Sequence, residues 1–179
     1  MTFEMRLDVP SGLSQIMMDP VEYDPELDNL GSILRDICDV LETAGVCFTV
    51  RVCSDDDWPV TVTTDLVVVL EQIGDVLASL ARNQECTLDF YEQGVERIVT
   101  FTPRNEDMLI QCNDMITKPS STTKRLTTPR DPVLRELLSL VDDFLRASSI
   151  CSPHLTKHPW FVEWTVGLTH VRSSFALTH

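Results

Sequence analysis

Cys86–Cys112 reads CTLDFYEQGVERIVTFTPRNEDMLIQC, and its rhythm decides the fold. Three short strand candidates, Cys86 to Tyr91, Glu96 to Thr102 and Met108 to Cys112, are separated by connections of hairpin length. Glu92-Gln93-Gly94-Val95 offers a glycine able to take positive φ, and Pro103-Arg104-Asn105-Glu106-Asp107 carries turn chemistry. Parallel strands would need a crossover of a dozen residues or more, so an antiparallel meander is expected.

Working outward, Thr2 to Val9 alternates Phe3, Met5, Leu7 and Val9 with Glu4, Arg6 and Asp8, the period of a half-buried strand. Asp24-Pro25 offers an N-cap followed by proline, and Leu27, Leu30, Ile33, Leu34, Ile37, Val40, Leu41 and Ala44 then mark one helical face up to Gly45. Val46 to Cys53 alternates again, and Val60 to Thr63 reads as a short extended piece behind Pro59. Thr63 or Thr64 is expected to cap a helix reaching about Asn83. Asp131-Pro132 starts an amphipathic helix through Leu134, Leu137, Leu138, Val141, Phe144 and Leu145. Ser152-Pro153 and His158-Pro159 mark two further short helical starts. Residues 116–130, rich in Ser, Thr and Lys, are expected to form a mobile loop, and 170–179 a frayed tail. The sum is a single α+β domain over 1–179: an antiparallel sheet of about five strands with helices mainly on one face.

Composition narrows the function classes. Twenty-eight acidic residues oppose 14 Lys plus Arg, a formal charge of −14, which argues against a nucleic-acid partner because phosphates are held by clustered cations. The excess is uneven: residues 1–57 carry −10, 58–115 carry −7 and 116–179 carry +3. The N-terminal segment lacks the basic and apolar regions of a signal peptide, and the aliphatic cluster around Leu66 to Leu70 is far short of the ~20 residues that span a bilayer. Six scattered cysteines without a CxxC pair read as buried thiols in a reducing cytoplasm.

Cys151-x-x-His154-x-x-x-His158 is the sharpest chemical pattern, since Cys and His at turn spacing can ligate zinc, yet no fourth ligand is evident and two prolines break the segment. There is no GxSxG elbow, HExxH pair or glycine-rich phosphate loop. Asp55-Asp56-Asp57 lacks the DxDxDG spacing of a calcium loop. With Trp58, and with Tyr91, Glu92 and Glu96 around the second turn, it instead resembles a protein-contact surface.

The order LVVVLEQI, LDFYEQGVER, IQC and CSPHLTKHPWF, spanning roughly Asp65 to Trp164, resembles small acidic bacterial immunity proteins that accompany polymorphic or contact-dependent toxins. The resemblance implies a cytoplasmic, non-catalytic inhibitor of a cognate toxin, covering a basic active-site or substrate surface without cofactor, metal, nucleic acid or membrane. Asp55, Asp56, Asp57, Trp58, Tyr91, Glu92 and Glu96 are the expected toxin contacts. Two alternatives stay open: a Cys/His metal protein using Cys151, His154 and His158, and a secretion adaptor or chaperone binding through the apolar face around Trp160 and Trp164.

Overall fold

The computed structural model describes residues 2–19, 21–54, 57–91, 96–115 and 123–176. It is an α+β fold with strands in two antiparallel sheets rather than one. β1 (Thr2–Asp8) pairs with β2 (Cys47–Ser54), Met5 opposite Val50 and Arg6 opposite Thr49. β3 (Cys86–Phe90), β4 (Arg97–Arg104), β5 (Asp107–Asp114) and β6 (Lys124–Pro129) form the second sheet in sequence order. The meander over Cys86–Cys112 is therefore present. Its β4–β5 turn is closed by Asn105, whose φ of 57° is tolerated by a short polar side chain.

The helices are α1 (Leu30–Thr43), α2 (Val67–Ala81), α3 (Arg130–Cys151) and α4 (Pro159–Ala176). Core side chains come from every layer: Met5 and Val50 from the ribbon, Ile33 and Ile37 from α1, Leu70 and Ile73 from α2, Phe101 and Ile110 from the sheet, Phe144 from α3. Phe3 meets Phe101 edge-on with centroids 5.7 Å apart, and the Cys53 thiol donates to the Ile110 carbonyl, locking the ribbon onto the sheet.

Exposed strand edges invite unwanted pairing, and here helix side chains occupy two of them. Gln72 donates to the Asp89 carbonyl at 2.8 Å and accepts from the Asp89 amide at 3.0 Å, standing in for a neighbouring strand on β3. On β1 the Met5 amide donates to Glu136 of α3. α2 is thereby held against β3 with its polar rim outward.

Several sequence expectations are corrected. Asp24 makes only one turn: its carboxylate accepts from Glu26, its carbonyl accepts from Leu27 and Asp28, and Leu27 is left 82 % exposed. Asn29 is the true cap of α1, accepting from Gly31, while Ser32 accepts from the Asn29 amide in a capping box. The extended piece expected at Val60 to Thr63 is overtaken by a π turn, Val62–Leu66, capped by Thr61. Within the loop expected at 116–130, residues 124–129 form β6, since an edge strand with one partner tolerates the polar sequence KRLTTP; 116–122 lie outside the described residues. The frayed tail is corrected to helix as far as Ala176, because Leu168 is buried against Gly74 and Arg172 binds Asp142 at 2.5 Å; 177–179 lie outside the described residues. Of the two short helical starts, the first yields a 3₁₀ turn, Leu155–Lys157, and the second the 18-residue α4. Cys47 is exposed and Cys86 half-buried, so only Cys38, Cys53, Cys112 and Cys151 are buried thiols. No helix among the described residues is long and apolar enough to cross a membrane.

Candidate functional site

Of the seven residues nominated from sequence, Asp55, Asp56 and Glu92 lie outside the described residues. Trp58 touches the residues that flank the second turn, Phe90 and Arg97. Its ring stands edge-on to Phe90, with centroids 5.3 Å apart, and the Arg97 guanidinium lies 4.4 Å from its centre. Trp58 is 6 % exposed, so it is a packing anchor rather than an exposed contact. Asp57 is held by Arg51. Glu96 is half-buried with φ at 31°, and its carbonyl accepts from Met115. Tyr91 is 54 % exposed, and its hydroxyl donates to Glu71 at 3.0 Å.

That hydrogen bond leads to a different surface. Glu71 lies on the outward rim of α2, where it lines two clefts. One encloses about 460 Å³ among Arg35, Asp39, Thr63, Thr64, Val67, Val68, Glu71 and Tyr91. The other, about 380 Å³, lies among Glu71, Gln72, Asp75, Val76, Ser79, Glu85, Cys86 and Thr87 along the β3 edge. Gly31 belongs to the same junction: a side chain there would collide with Glu71 Oε1, so glycine is what lets the carboxylate lie against the first turn of α1.

Local sequence explains the larger cleft. Asp65 is buried, and its Oδ2 accepts from the Thr61 amide at 2.7 Å and from the Thr61 and Thr64 hydroxyls at 3.2 and 3.3 Å. These bonds wind Thr63 and Thr64 into the π turn and set them at the mouth. Across the cleft, partial burial first and the Asp36 charge second hold the Asp39 carboxyl above its usual range, opposed by Arg35. Among the described residues the lining of the cleft contains neither a histidine nor a cysteine.

Electrostatics separates this surface from the rest. Residues 19–43 hold eight acids and Arg35 as their one base, half of the chain's net charge. Among the described residues no ion pair reaches Asp36, Asp39, Glu42, Glu71 or Asp75. On the outer face of the β1–β2 ribbon the opposite holds: Arg6 lies 2.9 Å from Glu4 and 3.5 Å from Asp8, and Arg51 lies 3.0 Å from Glu4 and also binds Asp57. Sequence reasoning missed Glu71 and Asp75, although their signal was present. They are like charges four residues apart on one helix, an arrangement that disfavours the isolated helix.

The metal pattern does not assemble. Cys151 is buried at the end of α3, His154 is exposed, and His158 meets Tyr23 edge-on and Trp160 at a tilt, with centroid distances of 5.2 and 4.8 Å. Among the described residues no group of three His, Cys, Asp or Glu is placed to hold a metal ion. Burial pushes the Cys53 and Cys86 thiols up to about 11, leaving them protonated at neutral pH and poor nucleophiles. No protein-family model, curated protein or solved structure matches the chain.

Proposed function

We propose that this chain is a non-catalytic acidic binding protein that neutralises a cognate bacterial toxin by covering a basic active-site or substrate-binding surface. The observation that carries this reading is the contrast in charge pairing. Among the described residues no ion pair reaches Asp36, Asp39, Glu42, Glu71 or Asp75 along α1 and the α2 rim, whereas Glu4, Asp8 and Asp57 at the ribbon each lie against an arginine. Uncompensated carboxylates destabilise the fold through self-repulsion, and their benefit is fast, salt-sensitive capture of a cationic partner. The binding surface is accordingly moved from the Asp57–Trp58 turn to α1, α2 and Tyr91. Tight inhibition calls for about 1,600 Å² of total buried area, so the clefts must receive side chains as well as attract charge.

The test pairs this chain with the product of each gene neighbouring its own. The expected results are protection of cells that express it, a purified complex, and a dissociation constant that rises steeply with salt. An affinity unmoved by ionic strength, or equal loss on altering the paired Asp8 and the unpaired Glu71, would overturn the reading.

A further inference from the structure

A third cleft of about 380 Å³ opens between the turn preceding α1 and the first turns of α4, lined by Asp28, Asn29, Leu30, Trp160, Glu163 and Trp164 together with a proline. Its composition is two indoles and two carboxylates with no basic side chain. A simpler pairing of one indole with one carboxylate holds a cation elsewhere: Arg97 lies over the Trp58 ring and reaches Asp114 at 3.9 Å. The geometry points to this cleft as the receptor for an arginine side chain of the basic partner, the guanidinium stacking on indole and facing Asp28 and Glu163.

The charge balance favours a cation despite two helix N-termini nearby. Each end contributes about half a positive charge that fades within the first turn, so the pair offsets about one of the two carboxylates. Asn29 and Ser32 already satisfy amides at the start of α1. Guanidinium is weakly hydrated and planar, which suits an aromatic wall better than a lysine ammonium. A protein source is favoured over a free small cation because Leu27, in the same turn, is 82 % exposed and offers apolar contact beside the cleft.

The inference rests on the function proposed above only for the identity of the partner, and its test uses the full chain without any toxin. N-acetyl-arginine amide is titrated while the three indole N–H resonances are followed by NMR, with the neutral N-acetyl-citrulline amide as control. Expected are saturable shifts of the Trp160 and Trp164 signals but not of Trp58, no comparable shift with citrulline, and a roughly threefold weaker affinity in Glu163→Gln. Glu163 is exposed, so this variant keeps its fold. Equal shifts with citrulline, shifts confined to Trp58, or no shift would overturn the arginine site while leaving the charged face of α1 and α2 to its own salt-dependence test.

Discussion

On the outer face of the β1–β2 ribbon, Glu4, Asp8 and Asp57 each lie against Arg6 or Arg51. Along α1 and the rim of α2, Asp36, Asp39, Glu42, Glu71 and Asp75 have no described ion pair, and Asp36 and Glu71 instead accept from the hydroxyls of Tyr23 and Tyr91. Both surfaces are rich in carboxylates, yet on one each carboxylate lies against an arginine and on the other no described ion pair forms. Acidity of composition therefore says little about binding until the pairing is known. What distinguishes a candidate interface is the charge left over after the fold has matched its own cations.

The largest expected effect tests whether Trp58 belongs to the packing or to the interface. Trp58→Ala removes the contact joining the turn after β2 to Phe90 and Arg97, and is expected to cost about 3–5 kcal/mol of stability, read by urea unfolding. A loss of partner affinity with unchanged stability would return Trp58 to the contact surface. Next, the double change Asp39→Lys with Glu71→Lys is expected to weaken the basic partner at least about tenfold, roughly 1.4 kcal/mol by calorimetry, while Asp8→Lys leaves affinity nearly unchanged. Comparable losses from both would erase the distinction between the surfaces.

Two smaller changes predict opposite signs. Glu4→Gln removes the carboxylate between Arg6 and Arg51 and should lower stability by about 0.5–1 kcal/mol. Asp39→Asn removes a charge disfavoured first by partial burial and then by Asp36, against the weaker attraction of Arg35, and should raise stability by about 0.2–0.5 kcal/mol. The sign follows from linkage: a carboxyl whose pKa is raised on folding carries its full penalty above the folded pKa. The penalty fades as pH falls toward the ordinary aspartate value of about 3.9. The gain from Asp39→Asn should therefore be present at pH 7 and absent near pH 3. Thermal melts of both variants at the two pH values check it.

Particular elements show where the sequence could be read. The meander was legible because alternation and turn chemistry agreed over Cys86–Cys112, and the α1 face because Ile33, Leu34, Ile37 and Leu41 repeat at helical spacing. The start of α1 was not, since Asp24-Pro25 and Asn29 both offer cap chemistry and only burial of the following turn selects between them. β6 was hidden by its polar composition, which an edge position permits. Tyr91 is expected from sequence as a contact residue and is exposed, but its partner Glu71 lies 20 positions away on another element.

By itself the chain determined an α+β architecture, a meander at its centre and a negative charge concentrated in its first two thirds, because periodicity and charge are properties of local sequence. Only the tertiary structure decided that Arg51 would bind Glu4 and Asp57 while, among the described residues, Asp39 and Glu71 form no ion pair. Coulomb energy depends on separation in space and is screened within about 8–10 Å in physiological salt. Neighbours in the fold, rather than totals along the sequence, therefore set which acids remain available to a partner.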